Sequence, residues 1–237
     1  MITALVLVVS LLTMQGKTTD VTVVTLSRGA LSVPLQPTGK ADLKRDPTMT
    51  RISIEVDRVA PPSSLGPVFN SFVVWAVSPE GYYQNVGELA FDKDRGRLET
   101  TTPFDQIGIL ITAEPHHLVD RPSAAVAFRS LAPKNDIRRQ TVSVEVGAYD
   151  YSNIAPANSS GGPSIVAEAR AAVRIAEAAK AERFAESDYR RARAALDTTE
   201  QLLSRASPAD IIAESANETI RRSQRAVTLA RAKSNSQ

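Results

Sequence analysis

The two histidines of the chain, His116 and His117, are the residues whose type and position could do chemistry. They are its only histidines, and Glu114 and Asp120 lie close to them in the sequence. Imidazole and carboxylate groups together can hold a metal ion or take part in a Ser-His-Asp triad. Neighbouring side chains on an extended segment point in opposite directions, so the two rings would not converge on one ion. The sequence therefore favours a solvated turn after Pro115. A hydrolase with its site at the loops near His116 and His117 is an alternative.

Other motifs that carry chemistry are missing from the sequence. The chain has no cysteine, which excludes disulfides, thiolate zinc sites and a cysteine nucleophile. It has no Gly-x-Ser-x-Gly turn of a serine hydrolase and no glycine-rich phosphate loop. The acidic residues Glu88, Asp92 and Asp94 are interleaved with Lys93 and Arg95, which is typical of a charged hairpin tip and not of a calcium loop. We therefore expect no catalytic residue, no metal and no cofactor.

Six residues are candidates for an interaction surface. One adjacent tyrosine pair follows a predicted turn, and two adjacent arginine pairs lie where they could meet an anionic lipid or an envelope polymer. They are Tyr82, Tyr83, Arg190, Arg191, Arg221 and Arg222. Trp75, by contrast, lies in the middle of the most apolar run and is predicted to be core. The helical arginines recur beside acidic residues, a pattern typical of a solvated face with ion pairs.

The overall composition bounds the class of protein. The 237 residues are 43% hydrophobic and 23% charged, which is enough for one large or two small domains with a real core. The net charge is only +2. The pI of about 9.0 reflects this small excess near neutrality, so we expect no nucleic-acid partner.

The elements that position these candidates fall into two parts, and the first is rich in strands. From residue 20 to 150, short β-branched runs alternate with turn residues at roughly ten-residue spacing. Thr50–Val56 alternates apolar and polar residues, and Ser71–Val77 is apolar throughout, as in a strand buried on both faces. The pattern predicts roughly seven to nine strands in an antiparallel, Ig-like β-sandwich.

A Ser/Gly linker at 151–163 leads to an alanine-rich helical domain at 164–233 and a short tail at 234–237. All 11 glycines lie before Pro163, and the apolar period then becomes that of a helix. Ser207-Pro208 is a helix start, with serine as the cap and proline at the first helical position. The fold class is therefore α+β in separate domains, the second an α-helical hairpin or three-helix bundle. Whether 164–205 is one continuous helix stays open.

The N-terminal residues 1–19 contain an uncharged apolar run, Ile2–Met14. Such a run suits a secretory signal peptide or an N-terminal anchor, and is shorter than the roughly 20 residues that span a bilayer. We therefore expect an extracytoplasmic location, in the periplasm or cell envelope. The alternative is a first buried strand, because LVLVV is rich in β-branched residues.

Two segments resemble known protein families. The first includes VVWAVSPEGYYQNVGEL, a strand end of the form T-x-E-P at Thr112, Glu114 and Pro115, and a following RPS. It resembles the extracytoplasmic β-domain of K-type anti-sigma factors and the N-terminal domain of exported acidobacterial proteins of unknown function. The second, beginning PSIVAEARAAVRIAEAAKAERFAESDYRR, resembles the alanine-rich helical domain that precedes OmpA-type domains. In that family the segment at Ala181–Glu186 separates two helices.

Together these features predict a non-catalytic cell-envelope protein that acts as an extracytoplasmic interaction or scaffold module. The resemblance adds a second alternative, a signal-sensing domain related to anti-sigma factors. The expected partners are an envelope protein, or a second copy of the chain bound through the helical domain, or an anionic envelope polymer or membrane surface. Small-residue stripes predict the self-association or docking surface; they contain Ile165, Ala169, Ala172, Ile212, Ala216 and Ile220.

Overall fold

The computed structural model describes residues 5–11, 21–29, 36–131, 140–155 and 163–236. Residues 156–162 of the predicted linker and 12–19 of the predicted N-terminal segment lie outside these ranges. The chain forms two compact units. The β unit comprises Met1–Leu65, Phe72–Glu114 and Asp120–Asp150, and the helical unit comprises Gly66–Ser71, Pro115–Val119 and Tyr151–Gln237. Two short segments from the strand region thus group with the helices, which a linear division of the sequence does not reveal.

The β unit is built from antiparallel pairs of short strands. The strands are β1 (Leu5–Leu11), β2 (Val21–Arg28), β3 (Thr38–Arg45), β4 (Thr50–Asp57), β5 (Ser71–Val77), β6 (Tyr83–Glu88), β7 (Ala90–Asp92), β8 (Arg95–Thr102), β9 (Gly108–Glu114), β10 (Val126–Ser130) and β11 (Gln140–Val146). A 3₁₀ turn at Pro62–Leu65 precedes β5. Within the described ranges, nine strands form one sheet in the order β6-β5-β9-β10-β2-β3-β4-β8-β7, and β1 pairs with β11.

Burial along the strands follows the sequence pattern. In β4 the residues Ile52, Ile54 and Val56 are buried and alternate with more exposed polar neighbours, as predicted. Every residue of β5 and of β9 is buried, and the two strands are neighbours in the sheet. The prediction that Ser71–Val77 is a strand buried on both faces is confirmed.

The nine-stranded sheet folds back on itself, so that strands far apart in its order meet. The Thr100 hydroxyl of β8 donates a hydrogen bond to the Val86 carbonyl of β6 over 2.9 Å. The Thr102 hydroxyl of β8 donates to the Gln84 Oε1 of β6 over 2.8 Å. Since β6 is the first strand of the order and β8 the last but one, these contacts join its two ends around a buried interior.

The N-terminal apolar run supplies a strand. Leu5–Leu11 pairs antiparallel with β11, in a register that runs from Leu5 opposite Val146 to Leu11 opposite Gln140. Val9 is buried. The interpretation of LVLVV as a strand is therefore confirmed for these seven residues.

The helical unit contains three long helices and one single-turn helix within its described residues. They are α1 (Ser164–Ala178), α2 (Ala181–Phe184), α3 (Glu186–Ser204) and α4 (Ala209–Ser234). The segment 164–205 is broken because Lys180 takes a left-handed φ of 57° and Ala185 leaves the helical region at φ −143°. Pro208 is the cap of α4 and not its first helical residue, because its ψ of 143° is extended. Across the described residues, no helix has both the length and the apolarity to cross a membrane.

The small-residue stripes pack against one another inside the helical unit. Ala169 and Ala172 of α1 and Ala216 and Ile220 of α4 form one fully buried cluster. Alanine allows these two helix backbones to approach closely, and Ile220 supplies the one large side chain of the cluster. The stripes are therefore occupied by contacts within the chain, so a surface for a partner has to lie on the exposed helix faces.

Replacing Ile220 by alanine is expected to lower the free energy of unfolding of the helical unit by about 3 kcal/mol, because it leaves a cavity among alanines too short to fill it. Chemical denaturation followed by circular dichroism at 222 nm measures the loss. Ile211→Ala is the matched control, since Ile211 is 43% exposed and its truncation should cost less than about 1 kcal/mol. Equal losses for the two variants would contradict the packing described.

Candidate partner-binding groove

His117 is held by a glutamate of α1. The backbone N–H of His117 donates to Glu168 Oε2 over 2.9 Å, and the ring Nδ1 lies 2.8 Å from the same oxygen. The Glu168 side chain is only 4% exposed. One buried carboxylate thus fixes both the backbone and the ring of His117, and attaches the segment Pro115–Val119 to α1.

His116 is fully buried, so the predicted solvated turn is wrong at this residue. Its Nδ1 accepts a hydrogen bond from the backbone N–H of Leu118 over 3.2 Å. Burial, with smaller contributions from the neighbouring His117 and Arg231, lowers the pKa of His116 to about 3. The ring is therefore neutral near pH 7, and it serves as an acceptor within the packed segment. A general base works best with a pKa near the operating pH, which His116 does not have.

The T-x-E-P strand end lies in a buried chain of hydrogen bonds. Trp75 Nε1 donates to the Thr112 hydroxyl over 2.8 Å, and that hydroxyl donates to Glu114 Oε1. The backbone N–H of Ser123 donates to the same carboxyl oxygen over 2.7 Å. Burial raises the pKa of Glu114 to about 8, only partly offset by the hydrogen bonds from Thr112 and Ser123. The residues that carry the resemblance therefore hold a strand end in the core of the β unit.

Tyr82 and Tyr83 differ in exposure and in their contacts. Tyr82 is 69% exposed on the turn before β6. Tyr83 is half-buried, and its ring meets the Trp75 ring edge-on at a centroid distance of 5.7 Å. Burial raises the pKa of Tyr83. Of the two tyrosines, Tyr83 packs partly against Trp75, and Tyr82 is the more exposed.

An open groove runs between α3 and α4, which we call the α3–α4 groove. A tight reversal after Ser204 creates it: Ala206 takes a left-handed φ of 52°, and Ser207 N donates to the Leu202 carbonyl over 3.0 Å. Hydrogen bonds between hydroxyl groups then join the two antiparallel helices. Thr199 Oγ1 lies 2.8 Å from Ser215 Oγ and 3.1 Å from Thr219 Oγ1. Residues 188–202 of α3 thus face residues 211–225 of α4, each stretch about 21 Å long.

The basic end of the α3–α4 groove brings together three of the four predicted arginines. It encloses about 560 Å³ and is lined by Asp188, Arg191, Glu218, Arg221, Arg222 and Arg225. Arg190, the fourth predicted arginine, is not among these lining residues and pairs with Glu186 one turn earlier on α3. Neighbouring residues on a helix are about 100° apart, which is why Arg190 and Arg191 separate.

The charges at this end do not balance. Arg225 pairs with Asp188 at 3.1 Å, and Glu218 pairs with Arg221 at 2.8 Å and with Arg222 at 2.7 Å. Hydrogen bonds from Arg222 and Arg221 lower the pKa of Glu218, so it is ionised near pH 7. Arg191 has no hydrogen-bonding or ionic partner among the residues that the structure describes. Four guanidinium groups therefore face two carboxylates.

The other end of the α3–α4 groove is mixed, with apolar side chains beside hydroxyl groups and the carboxylate of Glu214. It encloses about 530 Å³ and shares Glu218, Arg221 and Arg222 with the basic end. Its further lining residues are Ala194, Ala195, Thr198, Leu202, Ile211, Glu214 and Ser215. Ile211 is 43% exposed there. The groove therefore changes along its length from a partly apolar end, which carries Glu214, to a cationic end.

Sequence reasoning missed Arg225 and Ile211 as members of this surface. Arg221 and Arg225 are spaced i,i+4, and Ile211 and Ser215 are too, so a helical wheel places each pair on one face. The face that meets α3 is fixed only by the pairing of Asp188 with Arg225 and by the Thr199 contacts. The sequence of α4 therefore shows which residues share a face, but it does not show which of its faces meets α3.

Comparison with known proteins returned no match: no family model, no curated protein and no solved structure resembles the chain at a significant level. The resemblance to the anti-sigma β-domain therefore stays an expectation. What the protein does has to follow from the arrangement of its own side chains.

Proposed function

We propose that this protein is a non-catalytic interaction module of the cell envelope, and that it engages its partner through the α3–α4 groove. The observation that carries the proposal is the unbalanced charge of an exposed, concave and partly apolar surface. Elsewhere the helical unit covers its apolar residues, as in the alanine cluster of α1 and α4. An exposed apolar floor beside a surplus of arginines is typical of a surface that binds a macromolecule.

The non-catalytic part of the proposal is supported by the strongly perturbed acid and base. Glu114 and His116 have the buried environment and shifted pKa values that active sites often show. Each is fully buried, and each acts in a structural contact, Glu114 with Thr112 and Ser123 and His116 with Leu118. Both shifts follow mainly from burial; at Glu114 the hydrogen bonds from Thr112 and Ser123 offset part of the shift, and at His116 the neighbouring His117 and Arg231 add to it.

The finer architecture is part of the same proposal. We infer that the β unit is an Ig-like sandwich, in which the two halves of the folded-back sheet would be the two layers; the Thr100 and Thr102 hydrogen bonds hold one edge of the layers together. We infer that α1, α3 and α4 form a three-helix bundle. The α1–α4 alanine cluster and the Thr199 contacts between α3 and α4 support this. A bidentate salt bridge, with hydrogen bonds of 2.7 and 2.9 Å, also joins Arg170 of α1 to Glu200 of α3.

We propose an extracytoplasmic location on the strength of the sequence resemblance. Cell fractionation with N-terminal sequencing tests it, with the protein expected in the envelope or periplasmic fraction. Because β1 pairs with β11 over seven residues, the mature chain is expected to retain Leu5–Leu11. Recovery in the cytoplasm alone would contradict the location and would leave the proposed groove to be judged separately.

Photo-crosslinking in the native host tests the groove itself. A photoreactive amino acid replaces Thr198, which is exposed and lines the groove, or Asp197, which is exposed and does not. These neighbours share helix, exposure and distance from the helix ends. We expect a specific adduct from position 198 that is weak or missing from position 197. Equal yields from both positions, or none from either, would overturn the groove as the functional surface.

A further inference from the structure

We propose that the occupant of the α3–α4 groove is an amphipathic helix of a partner protein, apolar at one end and acidic at the other. This rests on the proposed function, because it names the chemistry of the partner that the groove engages. The inference follows from the groove's length, from its polarity and from the kind of surface that two antiparallel helices present.

The dimensions of the groove match a helix of about four turns. The lining runs from Asp188 to Leu202 on α3 and from Ile211 to Arg225 on α4. Fourteen steps of about 1.5 Å give about 21 Å, the length of a 14-residue helix. A helix laid between two others packs its side chains into the row between them, with anchors at i, i+3, i+4 and i+7.

The charges of the groove select the partner's side chains. Arg191 has no partner in the described part of the chain, and Arg221 and Arg222 share the single carboxylate of Glu218. A guanidinium binds a carboxylate through two parallel hydrogen bonds, so Asp or Glu side chains fit this end. The floor around Leu202 and Ile211 instead fits Leu, Ile or Phe. The partner helix therefore carries its acidic residues at one end only.

Three other occupants fit the surface less well. A second copy, related by a twofold axis through the groove, would place the arginine end on the apolar end, or arginines on arginines, depending on the axis direction. A membrane favours a protruding basic face, whereas Arg191, Arg221 and Arg222 line a concavity. An extended peptide is normally captured by the backbone of a sheet edge, and α3 and α4 offer side chains alone.

Selection from a display library tests the inference on the full chain. The library consists of 16-residue peptides on a helix-forming Ala/Lys scaffold, randomised at the positions of one face. We expect enriched peptides with Asp or Glu at one end of that face and Leu, Ile or Phe at the other. Enrichment without an acidic bias, or no enrichment at all, would overturn the inference.

The variants Arg191→Glu and Arg190→Glu form a matched pair for the selected peptides. They are adjacent, both exposed, and equal in charge change, but only Arg191 lines the groove. We expect Arg191→Glu to weaken binding at least tenfold and Arg190→Glu less than threefold, by fluorescence anisotropy. Equal effects of the two variants would contradict binding in the groove. Circular dichroism confirms that both variants remain folded.

Two further readouts separate the competing occupants from the helix. Sedimentation with anionic phosphatidylglycerol vesicles tests a membrane, and sedimentation velocity of the protein alone tests a second copy. Arg191-dependent binding in either assay, with no selected peptide, would replace the helix by that occupant while leaving the groove functional. Failure of the proposed function is recognised differently, by the missing position-198 adduct in the cell.

Discussion

Replacing Glu114 by glutamine is expected to remove most of the loss of stability that the β unit shows as the pH rises from about 4.5 to about 8. The folded carboxyl keeps its proton to a pKa of about 8, whereas its ordinary value is 4.5. Between these values the folded state binds more protons than the unfolded state. The free energy of unfolding therefore falls as the pH rises, by up to about 1.4 kcal/mol per pH unit.

The structure explains why glutamine is the suitable replacement. Oε1 accepts from Thr112 and Ser123, and glutamine keeps that acceptor. Oε2 has no hydrogen-bond partner within the described ranges, so an ionised carboxylate would bury an unsolvated charge there. A neutral amide avoids this cost at every pH. At pH 8.5 the variant should be more stable than the native chain.

The measurement is urea unfolding at several pH values, followed by the fluorescence of Trp75. Trp75 is the chain's single tryptophan and donates to Thr112 in the same hydrogen-bond chain, so its signal reports on the β unit. Glu99→Gln, at an exposed position of β8, is the control and should leave the pH dependence unchanged. Parallel pH profiles for the native chain and Glu114→Gln would contradict a carboxyl held neutral by burial.

The second large effect is a loss of stability of the helical unit as the pH falls below neutrality. The pKa of His116 is lowered from 6.5 to about 3 because the ring is buried. Between these pH values the unfolded chain binds a proton at His116 and the folded chain does not. The contribution of the neutral His116 ring to the free energy of unfolding is therefore complete above about pH 6.5. It is lost as the pH falls towards 3, by up to about 1.4 kcal/mol per pH unit.

His116→Asn is expected to reduce the fall in the free energy of unfolding between about pH 6.5 and 3. The asparagine Oδ1 can accept from the Leu118 N–H in place of Nδ1, and asparagine does not titrate in this range. Urea unfolding between pH 7 and 4, followed at 222 nm, measures the slope. The NMR signals of the His116 ring in the folded native chain should stay constant over the same range. A ring that titrates near pH 6 while the protein is folded would show that His116 is accessible to protons.

The sequence patterns predicted the strands best where the order of apolar and polar residues alone decides which side chains are buried. The alternation in Thr50–Asp57 predicted β4, and the uninterrupted apolar run predicted β5. Strand β3, TGKADLKR, escaped prediction because three of its eight residues are basic. It forms because Ala41 and Leu43 fill the interior while the strand pairs along its length with β2 and β4. Pairing on both sides outweighs its weak strand propensity.

The helix break was harder to locate from propensity. Neither glycine nor proline stands between Ala178 and Glu186, and Lys180 takes a left-handed conformation that lysine rarely adopts. Ala181, the first residue of α2, and Ala185, which directly follows it, are buried, so packing of small side chains accompanies the bend. Helix propensity alone favours a continuous helix here, whereas the resemblance and a possible cap at Ser187 indicated a break near this segment.

The candidate surface was predicted in part. The sequence pattern predicted Arg190 and Arg191 together as surface candidates. Neighbouring residues on a helix point about 100° apart, and of these two only Arg191 lines the groove. Arg225 and Ile211 join the surface through the antiparallel pairing of α3 with α4, set by Thr199, Ser215 and Thr219. Which faces converge is a tertiary property that a single helix pattern does not contain.

The most direct test of the partner-binding groove combines photo-crosslinking at position 198 with the Arg190→Glu and Arg191→Glu variants in the native host. The photoreactive residue stays at position 198, in the native background, in Arg190→Glu and in Arg191→Glu, and the yield of the specific adduct is compared. We predict that Arg190→Glu keeps most of the adduct and that Arg191→Glu loses at least nine-tenths of it. Adduct formation that is unchanged in Arg191→Glu would contradict the claim that the basic end of the groove holds the partner.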